Sequence, residues 1–150
     1  MAHVREWFAA RTLLLLALSS VGCSSTPGYR EVTIRARDYA FEVPDSLPAG
    51  PVAFALANGG LVAHEVVITG LRPEASLADI LHRDKADSTW RDLRYSPSGV
   101  LTADSGVTTP GRLLVTLVAG RTYLLLCNFR NTDTSAVHFH IGMAHLVRAY

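Results

Sequence analysis

The segment VHFHIGM, residues 137–143, concentrates side chains that can bind a metal ion. It holds two histidines, a glycine and a methionine, and it begins ten positions after Cys127, one of only two cysteines in the chain. A thiolate, two imidazoles and a distant thioether form the donor set of a type 1 copper site, because soft sulfur ligands suit Cu(I) and imidazole suits both oxidation states. These residue types predict metal ligands at His64, Cys127, His138 and Met143.

The chain around these residues resembles the cupredoxin family over residues 31–150. Asn58 and Gly59 stand where a family strand ends, and His64-Glu65 stands where the first ligand histidine opens the next strand. The segment AGRTYLLLC, residues 119–127, is similar to the family's G-x-x-Y-x-x-x-C strand. The resemblance implies an all-β, cupredoxin-like Greek-key sandwich or barrel that binds one type 1 copper ion.

The segment HFHIGM, residues 138–143, fits the family pattern H-x-x-x-G-M. This pattern selects His138 over His140, which stays an alternative ligand that would share the face of His138 if a regular strand ran through both. It also makes Gly142 the point where the backbone turns tightly around the metal. The same resemblance implies that the edge of the His138 imidazole is exposed to solvent, is surrounded by an apolar surface patch, and is the site at which electrons leave the protein.

The loop between Cys127 and His138 departs from the family pattern. Its ten residues, NFRNTDTSAV, stand where the better-known members have far fewer. The two ends of the loop still have to return to one pole for a site to form. Because of this long loop, a cupredoxin-like binding module that has lost its metal is an alternative interpretation of the chain.

The elements that must position these residues are short strands separated by Pro, Gly and Asn. Spacing predicts an antiparallel sandwich, a hairpin turn at Ala119-Gly120-Arg121, and a short helical insert from a Ser76 N-cap to Arg83. A polar loop is expected from there to about Gly99, with Trp90 packing against the insert. Tyr123 is interpreted as structural, its hydroxyl bonded to loop backbone. The predicted strands are 31–36, 52–56, 65–69, 112–118, 122–127 and 143–150.

The N-terminus resembles an export signal over residues 1–22. Arg5 and Arg11 precede a short apolar run and small residues, and that run is too short to span a bilayer. Cys23 follows as in a bacterial lipobox, which implies lipidation, with residues 23–30 as a tether and residues 31–150 as one domain. The alternatives are a secreted protein and a Cys23–Cys127 disulfide, which an oxidising compartment would permit.

Composition excludes several functions. The formal charge is +1 without a run of like charges, so nucleic acid is not an expected partner. With every ligand position filled by protein, an enzyme is not expected, although a Cys/His/Asp nucleophile is possible by composition. The leading prediction is a monomeric electron carrier, anchored to a membrane at the periplasmic or extracytoplasmic surface, that serves redox proteins. The alternatives are a periplasmic copper carrier or buffer and the metal-free module.

Overall fold

The protein contains two β-sheets. The computed structural model describes residues 28–82 and 91–150. The predicted signal peptide, Cys23, most of the tether and Trp90 lie outside these residues. Among the described residues, no helix is long and apolar enough to cross a membrane. The strands are β1 (Arg30–Arg37), β2 (Ala40–Glu42), β3 (Ser46–Leu47), β4 (Gly50–Asn58), β5 (His64–Leu71), β6 (Arg94–Ala103), β7 (Leu113–Leu117), β8 (Thr122–Leu126) and β9 (Ala144–Ala149).

The sheets face each other across the main hydrophobic core. The order is β2-β1-β4-β7 in the four-stranded sheet and β3-β9-β8-β5-β6 in the five-stranded sheet. Alternation places one side chain in two inside: Ile34 and Ala36 of β1 are buried, while Thr33 and Arg35 are exposed. The predicted all-β sandwich is confirmed.

Two details of the predicted topology are wrong. The pairs β1–β4 and β3–β9 are parallel, so the sheets are mixed rather than antiparallel. The turn at residues 119–121 does not close a hairpin, because β7 and β8 belong to different sheets. The turn instead carries the chain from one sheet to the other. Two apolar strands joined by a glycine-containing turn have the same sequence pattern in a hairpin and in a connection between two sheets.

Tyr123 holds this crossing, as predicted. Its ring is buried, its hydroxyl accepts the Val118 N–H at 2.9 Å, and it lies 3.4 Å from the Thr116 carbonyl. A tyrosine that bonds back to the preceding strand is a recurring corner device in β-sandwiches. The corner fixes the start of β8, and therefore the position of the cysteine at its other end.

We expect Tyr123→Phe to lower the free energy of unfolding by about 1 kcal/mol, because the Val118 N–H loses its buried acceptor. Urea denaturation measures the change, and Tyr29→Phe, at a residue that is 39% exposed, is the matched control. Equal stabilities of the two variants would show that the corner bond contributes nothing.

The helical insert is confirmed as α1 (Leu77–His82). Ser76 caps it: its Oγ accepts the Asp79 N–H at 3.1 Å, and Asp79 Oδ2 accepts the Ser76 N–H at 3.0 Å. Ile80 is fully buried against the outer face of the five-stranded sheet. The insert therefore gives this sheet a second apolar layer, on the side away from the main core.

The predicted polar loop up to about Gly99 is wrong in its second half, where β6 forms. Pro97 and Gly99 interrupt the apolar alternation, so the sequence does not read as a strand. The structure tolerates them because β6 is an edge strand that, among the described strands, pairs with β5 alone, with irregular register near Thr69. Strands β2 and β3, of three and two residues, were also missed because they are too short to show a period.

Candidate metal centre

Strand order brings the predicted ligands to one pole. His64 is the first residue of β5, and Cys127 directly follows β8. Because β5 and β8 are antiparallel neighbours, the start of one lies beside the end of the other. His138 opens a short 3₁₀ turn, His138–Ile141, which leads into β9 on the other side of β8.

The three donor atoms form a compact triangle. His64 Nδ1 lies 3.2 Å from His138 Nδ1, and Cys127 Sγ lies 3.9 Å from the first nitrogen and 3.4 Å from the second. The point equidistant from the three atoms is about 2.0 Å from each, against typical lengths of roughly 2.0–2.1 Å for a metal–nitrogen bond and about 2.3 Å for a metal–sulfur bond. One transition-metal ion fits this triangle with minimal movement.

Hydrogen bonds on the far side of each ring direct the lone pairs inward. His64 Nε2 lies 2.9 Å from Asp38 Oδ1, and His138 Nε2 lies 2.9 Å from Asn131 Oδ1. An ionised carboxylate and an amide oxygen only accept, so both rings must donate N–H from Nε2. Each Nδ1 then carries a lone pair that points at the other donors.

This arrangement is electrostatically unfavourable without a cation. His64 and Cys127 are fully buried and His138 is 1% exposed, so water does not solvate the facing lone pairs. The thiol of Cys127 can supply one proton for the three donor atoms. A bound metal ion satisfies all three, which is the physical reason to interpret the cluster as a metal site.

The ionisation of the site follows from burial. Desolvation raises the pKa of Cys127, an effect that the Glu65 N–H, 3.4 Å from Sγ, partly opposes. Desolvation, followed by the nearby His64, lowers the pKa of His138. The Leu61 N–H, followed by the bond with His64, lowers the pKa of Asp38, which keeps its carboxylate ionised. Burial and a raised pKa also make Cys127 a poor nucleophile.

We expect metal affinity to rise about tenfold per pH unit above neutrality, because binding must release the Cys127 proton. Competition titrations with Zn²⁺, a redox-inert probe, measure this slope. In Cys127→Ser the slope should vanish. An affinity that does not vary with pH in the unmodified protein would mean that the thiol is not a ligand.

Met143 is fully buried in the main core beside Cys127. Its N–H donates to the His138 carbonyl at 3.0 Å, and its carbonyl accepts the Cys127 N–H at 3.2 Å, so its backbone bridges two of the predicted ligands. Gly142 before it has φ = +113°, a left-handed conformation that favours glycine, as the predicted tight turn requires. The axial role of the Met143 thioether stays a prediction.

The ten-residue loop returns to the pole by backbone pairing at its base. The His138 N–H donates to the Phe129 carbonyl at 2.9 Å, and the Phe139 N–H donates to the Cys127 carbonyl at 3.0 Å. Asn131 folds back over the site, donating to the Tyr39 hydroxyl at 2.6 Å. The backbone pairs at the base therefore close this loop as they would close a shorter loop, and its additional residues lie over the site.

Two expectations for the histidines are wrong. The His138 edge is not exposed, because Asn131 covers its Nε2. His140 does not share a face with His138, because a 3₁₀ turn replaces the expected strand. His140 is exposed, packs edge-on against Phe139 and lies outside the three-residue cluster.

Four residues around the site were not singled out from the sequence. Asp38 and Asn131 hold the histidine rings, Tyr39 packs edge-on against both rings at centroid distances of 6.1 and 4.8 Å, and Gly60 packs over His64. Isolated polar residues in loops carry no periodic signal. For Asp38 and Tyr39, the available sequence signal is that they closely follow the first predicted strand.

Comparisons with solved structures agree with this architecture. Auracyanin from Roseiflexus castenholzii superposes with a TM-score of 0.52 at 16% identity, covering 82% of this chain and 97% of its own. Auracyanin A, a "blue" copper protein from Chloroflexus aurantiacus, gives 0.52 at 19%, covering 82% and 100%. Reduced rusticyanin gives 0.50 at 18%, covering 83% and 81%. The chain has the cupredoxin fold.

No family model and no curated protein matches the sequence. The chain therefore adopts the cupredoxin fold although it shares fewer than one residue in five with auracyanin A.

Asn58 joins the strands at the end of the sandwich where His64, Cys127 and His138 meet, here called the metal pole. Its side chain donates to the Val62 and Ala103 carbonyls at 2.8 and 3.0 Å and accepts the Gly60 N–H at 2.9 Å.

Proposed function

We propose that this protein is an exported type 1 copper protein that carries one electron at a time between redox partners. The observation that carries the proposal is the triangle of His64, Cys127 and His138, whose donor atoms lie equidistant from a point at metal-bond distance. Copper suits this mixture of one thiolate and two imidazoles better than hard cations, which prefer oxygen ligands.

The residues would hold the ion in a nearly fixed geometry. His64 Nδ1, Cys127 Sγ and His138 Nδ1 would hold the ion, and the buried Met143 would offer its thioether as a further, weaker donor. Copper bound there supplies a one-electron couple between Cu(II) and Cu(I). Since protein groups fill the positions around the ion and none is left for a substrate, we propose electron transfer rather than catalysis.

Packing explains why little has to move during such an exchange. The ligands lie on or beside strands of the five-stranded sheet, and their rings are fixed by Asp38 and Asn131. These rigid side chains would keep small the energy needed to reorganise a copper site when an electron enters from a donor protein and when it leaves to an acceptor protein.

The sequence and the direction of β1 support a location for the protein. We place it at an extracytoplasmic membrane surface as a monomer, anchored by a lipid on Cys23. Strand β1 starts beside Val52, and the far end of its partner β4 reaches Asn58 at the metal pole. The tether therefore joins the domain at the pole opposite the copper site, which leaves that site facing away from the membrane for soluble redox partners.

Titration with Cu(II) tests the function. We expect one equivalent to bind with the intense visible band of thiolate-to-copper charge transfer, and the band to bleach and recover on repeated reduction and oxidation. His140→Ala, which removes an exposed imidazole outside the cluster, controls for adventitious binding and should behave like the unmodified protein. Binding of several weak equivalents without the band would contradict the proposal.

A copper carrier is the second candidate, and the cover of Asn131 over His138 favours it, because it separates the site from a partner's surface. The same sample distinguishes the two functions. Rapid electron exchange with a small redox reagent supports electron transfer. A colourless Cu(I) complex that exchanges electrons slowly but passes its ion to a chelator supports a carrier.

A further inference from the structure

The nitrogen of His64 that faces away from the metal site ends on a carboxylate. His64 Nε2 and Asp38 Oδ1 lie 2.9 Å apart, with the imidazole fully buried and the Asp38 side chain 24% exposed. His138, in contrast, meets the neutral amide of Asn131. The two imidazoles of the site are thus held by partners of different charge.

The carboxylate is itself fixed in place. Its second oxygen accepts the Leu61 N–H at 2.8 Å, so both oxygens of Asp38 have a defined donor. Gly60 closes over the pair: a Cβ at this position would overlap Asp38 Oδ1 and would lie 3.0 Å from His64 Nε2. A side chain at this position would force the carboxylate or the imidazole to move, so the absence of one leaves room for their contact.

We propose that Asp38 is a positioning residue that holds His64 in its Nε2–H tautomer and biases the site toward Cu(II). The negative oxygen polarises the N–H bond and increases the electron density on Nδ1, which stabilises the more positive metal ion. The tautomer part of the inference concerns the protein alone. The bias toward Cu(II) rests on the proposed copper function.

Asp38→Asn tests the inference. The amide carries no charge and has one oxygen in place of two. The Leu61 N–H can only donate and therefore takes the amide oxygen, so the NH₂ group faces His64 Nε2 and favours an acceptor there. Asp45→Asn is the control, because it removes the same charge from an exposed carboxylate whose Oδ1 lies 3.1 Å from His145 Nε2, outside the metal cluster.

The first readout needs no metal. Nitrogen-15 NMR of the histidine rings in the metal-free protein should show His64 as the Nε2–H tautomer in the unmodified chain and in Asp45→Asn. In Asp38→Asn the Nδ1–H tautomer should become populated, since that proton can then bridge to His138 Nδ1, 3.2 Å away. An unchanged His64 tautomer in Asp38→Asn would overturn the positioning role.

The second readout is the ratio of Cu(II) to Cu(I) affinities. Loss of a partner that orients a ligand typically costs 10–100-fold in metal affinity. We expect the ratio to fall about tenfold in Asp38→Asn, a rise of about 59 mV in the one-electron reduction potential. A blue protein whose ratio does not change would refute the bias toward Cu(II) and leave the copper function standing. Failure of the unmodified chain to bind copper would refute the function, and the tautomer would still decide the role of Asp38.

Gly60→Ala provides a second variant that keeps the charge of Asp38. Its added Cβ pushes the carboxylate and the imidazole apart, so the tautomer and the affinity ratio should change in the same direction as in Asp38→Asn. If Asp38→Asn does not fold, this variant decides: a His64 ring that stays Nε2–H with the contact broken would show that Asp38 does not set the tautomer.

Discussion

Cys127→Ser will abolish the visible charge-transfer band completely and weaken Cu(II) binding by several orders of magnitude. A serine hydroxyl at this buried position stays protonated and supplies a hard, neutral oxygen where copper requires a soft thiolate. The side chains have nearly the same shape, and Cys127 lies in the main core, so the fold should persist. Optical titration with Cu(II) and far-ultraviolet circular dichroism measure the two effects separately.

Ser135→Ala is the matched control for this change, since it also alters one small polar side chain, within the loop that follows Cys127. It removes only local bonds to Thr132 and should leave the band unchanged. Retention of the band in Cys127→Ser would contradict the assignment of the thiolate, whatever the copper content of that variant.

Phe139→Ala will lower the free energy of unfolding by roughly 3–5 kcal/mol, the usual cost of emptying a fully buried aromatic site. Phe139 is completely buried between the helical insert and the five-stranded sheet, in contact with the cluster that contains Ile80, Leu124 and Leu126. Its N–H also binds the Cys127 carbonyl, so the variant should loosen the 3₁₀ turn and weaken metal binding.

Leu114→Ala is the control for stability, because Leu114 is 59% exposed on β7 and its truncation leaves no cavity. Urea denaturation of the metal-free proteins compares the two variants. If Phe139→Ala and Leu114→Ala unfold at the same urea concentration, the burial of Phe139 between the helical insert and the sheet does not stabilise the fold.

The sequence was sufficient to predict the fold class and the three residues that meet. Cys127, His138 and Gly142 stand close together in the chain, and a continuous apolar segment marks β8, which ends just before Cys127. His64 is far away in sequence, but a histidine at the start of a β-branched strand fits the pairing of β5 with β8. Local pattern and strand order thus agree at this pole.

The surroundings of the site could not be predicted in the same way. Asp38 and Asn131 act through single contacts between loops, and their partners are 26 and 7 residues away. The exposure of His138 was predicted wrongly because the path of a ten-residue loop depends on such contacts rather than on a period. The edge strand β6 was missed for a related reason, since its pairing with β5 overrides Pro97 and Gly99.

X-ray absorption at the copper edge of the copper-loaded protein tests most directly whether His64, Cys127 and His138 bind one metal ion together. We expect one sulfur neighbour and two imidazole nitrogens at short distance around a single copper ion, with the sulfur missing in Cys127→Ser. A shell of nitrogen and oxygen alone in the unmodified protein would contradict a site formed by His64, Cys127 and His138.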